Sequence, residues 1–483
     1  MKEATAVVDT GTTSVRVVLF DNEGNRLGVY QRSNPPRYLP DGLVEQDPTS
    51  WPTTALSLLA EAADDASTRS FAIGAISLTS QRSSVTAVAA DGTFLSNAIM
   101  WQDRRSEPIC RRYESELPMI YQRTGIRLTS VFSAPKIRWL LENRPDVFSR
   151  TAKFVGVQDL LLYTLTGKFV TDHSFAGRTN LLNLETRSWD PELLELFGID
   201  VETLCDLVPP GSVVGTLLPA AADRTGLRQG IPVISAGGDQ QCAALGMGLY
   251  GEGRIVTNTG TGSYALADTP SPKLHDGMGL FCNPSAVPER YTVEATVPTT
   301  GSVYRWLGAL LYGDDDPIAR LNSAVEQSPP GSNGLRLEPH FQGSGSPDWV
   351  AGASGIITGL SLATSAGDLG RAVLEGIAAE LRRNVDLICD LAGAVTEVRS
   401  SGGLTEFPLF NQILADNLEL PVFKLSDGES TARGAWISAV VSLGIYESHA
   451  AALGDGEPDK GTQRFEPLPE NTAVYGRSRS SIN

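Results

Sequence analysis

Cysteine and histidine are scarce in this sequence and lie far apart. The 483 residues contain five cysteines without a C-x-x-C pair, and four histidines without the spacing of a metalloprotease motif. Zinc sites and histidine-based triads need such spacing, so neither is predicted. We expect reduced thiols, as in cytosolic proteins.

Long apolar runs are also missing. No stretch reaches the roughly 18 residues that a membrane-spanning helix needs. The start, "MKEATAVVD", carries charged residues before the apolar core of a signal peptide could form. We therefore expect a cytoplasmic protein that does not bind membranes.

Basic residues are in the minority. The chain has 39 lysines and arginines against 56 aspartates and glutamates, a formal net charge of −17. Such a charge repels nucleic acid unless a local basic patch intervenes, and only the short tail "YGRSRSSIN" is locally basic. We expect no nucleic-acid partner.

The common phosphate-binding motifs are absent too. Neither G-x-x-x-x-G-K-[ST] nor a G-x-G-x-x-G in a suitable place occurs. Two other glycine turns, "DTGTTS" and "NTGTGS", each lie between apolar strand segments. Their backbone N–H groups and hydroxyls could bind phosphate oxygens, so two such turns could hold one polyphosphate from both sides.

Length and hydrophobic pattern predict two α/β lobes. Domains usually have about 100 to 200 residues, so 483 residues exceed one domain. A strand ending at Val7 and Val8, then "VRVVLF" and "RLGVYQRS", predict antiparallel hairpins. A helix should follow, with Asp47 as its N-cap and Pro48 in the first helical position, and then the strand "AIGAISLTS".

A similar pattern restarts near residue 230. "IPVISAGGDQQ" and "RIVTNTGTGSYALAD" again place small polar turns after apolar strands, as expected for two related halves around a cleft. Helical periodicity returns in "GSVYRWLGALL", "DLGRAVLEGIAAELRRNVDLICDLAG" and "TARGAWISAVVSLGIY". We place the N-terminal lobe at 1–245 and the C-terminal lobe at 246–483. Residues 326–348, rich in Gly, Pro and Ser, are predicted to form a long surface loop.

The motifs together resemble a known family. "DTGTTSVR", "GGDQQCAALG", "NTGTGSYAL" and "SSGGLTEFPLFNQILAD" occur in the order found in the FGGY carbohydrate kinases of the actin, hexokinase and Hsp70 superfamily, and the resemblance spans roughly residues 5 to 445. It implies two actin-like (ribonuclease H-like) lobes with mixed sheets around a central cleft. It also implies ATP and Mg²⁺ as cofactors.

The resemblance assigns the first glycine turn to metal and phosphate. Asp9 matches the residue that holds Mg²⁺, usually through water, because Mg²⁺ keeps several waters. Thr12, Thr13 and Arg16 match the phosphate donors of this turn. From the residues alone, Asp9 could instead only cap a hairpin.

Further glycines and one threonine match the rest of the nucleotide site. Thr261 resembles the γ-phosphate contact of the second turn. The glycines lie where missing side chains let phosphate or a purine approach the backbone. They are Gly260 and Gly262 beside Thr261, Gly301 in "TTGSVYRW", and Gly402 and Gly403 in "SSGGLTEF".

Asp239, in "GGDQQ", matches the general base of the family. Such a base takes the proton from the acceptor hydroxyl as the oxygen attacks the γ-phosphorus. We also count Asp239 with Asp9 as a metal residue, and expect the two carboxylates to face a shared gap, one from each half of the molecule. Without the neighbouring motifs, a lone GGD more often begins a helix.

The acceptor pocket resembles the glycerol kinase branch, with departures. Arg82 and Trp101 match residues that bind hydroxyls and pack the carbon chain, although Trp101 alone could be a core residue. Gln240 adds a further hydrogen-bonding group. Ser83 stands where that branch has glutamate and Val131 where it has tyrosine. Tyr264 replaces the phenylalanine that is usual in that branch.

These departures remove two hydroxyl contacts and leave space. Because hydroxyl hydrogen bonds discriminate strongly, we expect a ketopentose such as xylulose, or a polyol of four or five carbons, in preference to glycerol. Glycerol itself stays the alternative. A nucleotide-switch ATPase like actin or Hsp70, without a small acceptor, is a second alternative. A homodimer is possible.

Overall fold

A computed structural model describes residues 2–313, 315–425, 428–454 and 462–479. The predicted α/β class with mixed sheets is confirmed, because two large mixed sheets and their covering helices form the molecule. No helix within these ranges is long and apolar enough to cross a lipid bilayer.

The first sheet is built mainly from the predicted hairpins. Its strands are β1 (Lys2–Thr10), β2 (Ser14–Asp21), β3 (Arg26–Ser33), β4 (Phe71–Ser80), β5 (Ser212–Thr216) and β6 (Pro232–Gly238). In space they lie in the order β5-β6-β4-β1-β2-β3. Strands β1, β2 and β3 pair antiparallel as predicted, and β4 pairs parallel with both β1 and β6.

The second sheet has seven strands. They are β7 (Arg254–Thr259), β8 (Ser263–Thr269), β9 (Phe281–Pro284), β10 (Tyr291–Val297), β11 (Glu397–Ser401), β12 (Val422–Lys424) and β13 (Gln463–Phe465). Their order in space is β9-β10-β8-β7-β11-β12-β13. Strands β7, β8 and β10 pair antiparallel, and β11 pairs parallel with β7, which repeats the topology of the first sheet. The similar patterns in the two parts of the sequence therefore reflect two halves with like folds.

Among the helices of the described residues, eight matter for the cleft and its walls. They are α1 (Ser50–Thr68), α2 (Ser133–Asn143), α3 (Val157–Thr166), α4 (Asp239–Gly246), α5 (Gly301–Tyr312), α6 (Ala366–Ala392), α7 (Pro408–Leu418) and α8 (Ser430–Ser442). Helices α1 and α3 share one apolar core with the first sheet, and α5, α6 and α7 share another with the second. Two such cores leave a cleft between them.

Helices α4 and α8 join the two halves. Both belong to a buried cluster that includes Val7 and Val18 on the other face of the first sheet, with Cys242 and Leu245 from α4. Trp436 of α8 also donates from Nε1 to the Asp21 carbonyl at 3.0 Å. The chain therefore returns near its C-terminal end to pack on the sheet with which it began.

One expectation about local structure was wrong. Helix α1 begins at Ser50 with Thr49 as its cap residue, and Asp47 lies outside it, accepting a hydrogen bond from the Thr49 amide at 2.9 Å. The strand near residue 230, β6, completes the first sheet, and the repeated topology starts at Arg254.

Candidate active site

A cavity of about 640 Å³ lies between the two sheets. On one side it is bounded by residues that follow β1, β4 and β6, where three mutually parallel strands end at one edge of the first sheet. On the other side it is bounded by one face of β8, β9 and β10. Polar groups from both halves of the chain can therefore reach one enclosed ligand, as in most ligand pockets.

Asp9 and Asp239 lie at that same edge. In the sheet register, Thr79 of β4 pairs with Asp9 on one side and with Gly237 on the other. Asp239 follows two residues after Gly237, as the first residue of α4. The expectation that the two carboxylates come from different halves was wrong: Asp9 lies in β1 and Asp239 directly follows β6, and both strands belong to the first sheet.

Asp239 is held by a network of side chains. Arg82 Nε lies 3.2 Å from Asp239 Oδ1, and the Gln240 amide donates to the same oxygen at 2.7 Å. The guanidinium also donates to Gln240 Oε1, and to Gln241 Oε1 at 2.9 Å. Burial raises the pKa of Asp239, Arg82 opposes this effect, and the Asp9 carboxylate adds to it. The Asp9 carboxylate is thus close enough to act on the charge of Asp239.

Asp9 is 4% exposed and pairs with Arg16, its partner in the β1–β2 register. Burial raises the pKa of Asp9 although Arg16 opposes this. The Arg16 guanidinium also binds Glu429, with Nη1 2.9 Å from Oε2. The predicted phosphate donor therefore bridges two carboxylates, one of them directly before α8.

The first glycine turn contacts the acceptor residues. Trp101, which follows the short strand Ala98–Ile99, donates from Nε1 to Thr12 Oγ1 at 3.0 Å. Thr12 lines the cavity, whereas Thr13 is exposed beside it. Ser83 adopts a left-handed backbone conformation with φ of 67° and donates from Oγ to the Arg178 carbonyl at 3.2 Å.

Lys136 holds the backbone on this side of the cavity. It is fully buried in α2, and its ammonium donates to the carbonyl oxygens of Ser83 at 3.3 Å, Phe132 at 3.2 Å and Val131. Burial lowers the pKa of Lys136 to about 7. Ser83 and Val131, two of the three positions that depart from the glycerol kinase pattern, are thus held by one side chain.

The second glycine turn connects β7 and β8. The Gly260 amide donates to the Gly262 carbonyl at 2.9 Å, and the Gly301 amide donates to the Gly260 carbonyl at 3.0 Å. A Cβ on Gly262 would lie 2.7 Å from the Val297 carbonyl oxygen. Thr261 Oγ1 accepts from Arg305 Nη2 of α5 at 3.2 Å. Sequence reasoning missed Arg305, although it is one turn from Gly301 on a predicted helix.

The remaining predicted nucleotide glycines lie beside this turn. Strands β7 and β11 are parallel, and Asn258 pairs with Ser401, so the residues after both strands meet at one edge. Gly402 follows with φ of 102°, and a Cβ there would lie 2.6 Å from the Thr259 carbonyl oxygen. Gly403 begins a short 3₁₀ turn, Gly403–Glu406.

The second sheet supplies residues that sequence reasoning missed. Tyr264 pairs with Thr296, and Glu294 pairs with Phe281, so these side chains share one face of β8, β9 and β10. All four line the cavity, as do Arg178 and two residues beyond β10, Gln342 and Trp349. Apart from Tyr264, which was predicted, nothing in the local sequence pattern marks these residues, because ordinary strand alternation produces the same spacing.

The structure brings some predicted residues to the cavity and places others outside it. All six predicted acceptor residues line it: Arg82, Ser83, Trp101, Asp239, Gln240 and Tyr264. Of the predicted phosphate residues, Thr12, Thr261 and Gly262 line it as well. Asp9, Thr13, Arg16, Gly260, Gly301, Gly402 and Gly403 are not among its lining residues.

Comparisons with known families cover both halves of the chain. Residues 4–246 match the FGGY family of carbohydrate kinases, N-terminal domain, and residues 255–443 match the C-terminal domain of the same family. A glycerol kinase of Gloeobacter violaceus is 34% identical over 92% of this chain and 90% of its own length. A glycerol kinase of Thermococcus kodakarensis is 34% identical over 90% and 87%.

Solved structures share the whole fold. A ligand-bound xylulose kinase from Lactobacillus acidophilus has a TM-score of 0.93 and 25% identity, over 98% of this chain and 96% of its own. The Plasmodium falciparum glycerol kinase with ADP has a TM-score of 0.91 and 25% identity, over 100% and 99%. The sequence relatives and structural neighbours thus differ in the acceptor that their names give.

Proposed function

The chain belongs to the FGGY family of carbohydrate kinases, with two actin-like lobes and ATP-dependent phosphorylation of an alcohol, and on that premise we propose its acceptor and its catalytic residues. The acceptor is a ketopentose such as xylulose, or a polyol of four or five carbons. Residues 1–245 and 246–483 form the two lobes.

One observation carries the assignment of the base. Asp239 lines the same cavity as Thr12 of the first glycine turn and Thr261 of the second. A carboxylate in that place can accept the proton of an acceptor hydroxyl while the oxygen bonds to the γ-phosphorus and the bond to the ADP oxygen breaks. The nearby guanidinium of Arg82, 3.2 Å away, keeps Asp239 oriented.

The residues also fit a magnesium nucleotide. Asp9 and Asp239 offer carboxylate oxygens, and the hydroxyls of Thr12 and Thr261 offer neutral ones. Mg²⁺ prefers oxygen ligands, keeps several waters and needs few protein carboxylates. When bound, it neutralises charge that develops on the transferred phosphoryl group.

The nucleotide itself fits the glycine turns. A Cβ on Gly262 or Gly402 would clash with a backbone carbonyl oxygen, so glycine lets each turn pack tightly, and we assign both glycines to the nucleotide site. We assign Thr13, Arg16, Gly260, Gly301 and Gly403 to the same nucleotide site. Closure of the two lobes would exclude water, which otherwise competes as phosphoryl acceptor.

Two small side chains support an acceptor larger than glycerol. Ser83 and Val131 both line the cavity, whose volume of about 640 Å³ lies within the range of ~300–1,000 Å³ of small-molecule sites. Glycerol is the second candidate, since relatives that are 34% identical are named glycerol kinases. A glycerol molecule would lack the contacts that glutamate and tyrosine would have provided.

A screen of ADP release tests the acceptor. Glycerol, erythritol, ribitol, D-xylulose, L-ribulose, D-ribulose, rhamnulose and gluconate would each be added with Mg²⁺ and ATP. We expect the highest kcat/KM for a ketopentose or for a polyol of four or five carbons. Glycerol as the best acceptor contradicts the proposal, and equal ADP release without any acceptor identifies an ATPase.

A single substitution tests the base. Asp239→Asn should lower turnover at least about a hundredfold, because a positioned base contributes about 10²–10⁴. Asp268→Asn is the matched control: Asp268 is also buried and paired with an arginine, Arg290, but it does not line the cavity. Near-normal turnover of Asp239→Asn removes Asp239 from the role.

A further inference from the structure

A buried ion pair joins the two halves of the chain at the cavity. Arg178 Nη1 lies 3.4 Å from Glu294 Oε2, and both side chains line the cavity. Arg178 is 7% exposed and Glu294 is 0% exposed. Burying two charges costs several kcal/mol per ion before their attraction is counted, so such a pair is weak as a stabilising device and points to another use.

Aromatic rings hold the guanidinium in place. Arg178 Cζ lies 5.1 Å from the centre of the Phe132 ring and 5.6 Å from that of Phe281. Trp349 stacks on Phe281 with ring centres 4.8 Å apart. Because the guanidinium packs against both rings, its position is set before any ligand arrives.

Each partner of the pair keeps one polar atom without a hydrogen bond. Arg178 Nε is a buried donor with no partner, and Glu294 Oε1 is a buried acceptor with no partner. Leaving such groups unsatisfied costs about 1–3 kcal/mol each. A hydroxyl group both donates and accepts, so a hydroxyl of the acceptor could satisfy both atoms.

The charges that line the cavity balance. They are Arg82 and Arg178 against Asp239 and Glu294, two positive and two negative. Tyr264 lies among them: burial raises its pKa, Glu294 and Asp239 add to the effect, and both arginines oppose it. A carboxylate on the acceptor would bring an uncompensated negative charge among these four.

We propose that Arg178 and Glu294 form a second polar subsite, which binds a hydroxyl of the acceptor remote from the one phosphorylated and selects an uncharged polyhydroxyl chain over a sugar acid. The proposal rests on the proposed function, since it concerns the acceptor of the same cavity. It names the residues that bind the far end of the acceptor molecule, and it states that this subsite accepts an uncharged group.

Matched acceptors test the charge selection. Ribitol and D-ribonate differ only in the carboxylate at one end, as do xylitol and D-xylonate. Calorimetric titration without ATP measures binding, and ADP release measures transfer. We expect at least one polyol to bind at least tenfold more tightly than its acid, whereas equal or tighter binding of both acids, or no binding of either polyol, overturns the subsite.

Substitutions test the residues. Glu294→Gln keeps the shape but leaves Arg178 uncompensated, so the preference for polyol over acid should fall at least tenfold. The double variant Arg178→Met/Glu294→Gln removes both charges. It should bind the polyol more weakly, and its affinity for the acid should not increase. Asp268→Asn, an acid-to-amide change on the same sheet outside the cavity, should leave the preference unchanged.

The outcomes separate the two proposals. If the polyols bind and the sugar acids do not, but no acceptor stimulates ADP release, the subsite is supported and the proposed kinase acceptor is contradicted. An unchanged preference in folded Glu294→Gln, checked by thermal unfolding, overturns the subsite while the kinase assignment stands. If Glu294→Gln does not fold, the matched wild-type pairs alone decide.

Discussion

The indole nitrogen of Trp101 donates a hydrogen bond to the hydroxyl of Thr12 at 3.0 Å. Trp101 is a predicted acceptor residue, and Thr12 belongs to the first glycine turn. One hydrogen bond therefore joins the acceptor wall to the turn assigned to phosphate, and both side chains line the cavity. The two substrates of a kinase would meet across this contact.

Removing that hydrogen bond should impair both substrates together. A neutral hydrogen bond contributes about 0.5–1.5 kcal/mol, so Trp101→Phe and Thr12→Val should each lower kcat/KM about two- to tenfold for ATP and for the acceptor. The double variant should lose little more than either single one, because both remove the same contact. Thr12→Ser keeps the hydroxyl and is the control. Fully additive losses would mean that the contact does not couple the sites.

Removing Lys136 should loosen the acceptor wall. Its ammonium holds the carbonyl oxygens of Ser83 and Val131, and charged hydrogen bonds contribute about 1.5–3 kcal/mol. We expect Lys136→Met to raise the acceptor KM at least tenfold while the KM for ATP changes little. Lys136→Arg should recover part of the loss. Equal effects on both KM values would indicate general unfolding.

Acceptor binding should weaken as the pH rises through about 7. Burial lowers the pKa of Lys136 to about 7, with Asp103 and Cys110 opposing this and Arg105 adding to it. Below that pH the ammonium has three donors for three carbonyls; above it one donor is lost. The acceptor KM of the wild type, measured from pH 6 to 9, should therefore rise, and Lys136→Met should lack this dependence. A parallel dependence in the variant would assign the titration elsewhere.

A side chain at Gly402 should damage the nucleotide site. Gly402 has φ of 102°, and a Cβ would lie 2.6 Å from the Thr259 carbonyl oxygen. Gly402→Ala should lower the free energy of unfolding by more than about 1 kcal/mol and raise the KM for ATP. Gly403→Ala, whose Cβ would meet nothing within 4 Å, should leave the unfolding temperature unchanged. Equal thermal stability of both variants would refute the strain at Gly402.

The sequence predicted what short stretches of chain decide. The antiparallel β1–β2–β3 hairpins and the carboxylate at the end of β1 follow from alternating apolar residues and tight turns. All six acceptor residues that the motifs predicted line the cavity. Such features need only neighbours within a few residues, so propensity and spacing suffice.

Tertiary structure decided which distant segments meet. Strand β6 opens the sequence pattern that restarts near residue 230. In the structure it pairs with β4 and places Asp239 at the same sheet edge as Asp9. Arg178 meets Glu294 116 residues later, and Arg16 meets Glu429 413 residues later. Gln342 lies in the segment predicted as a surface loop and yet lines the cavity. Because packing of whole sheets and helices brings these groups together, no local pattern carries the information.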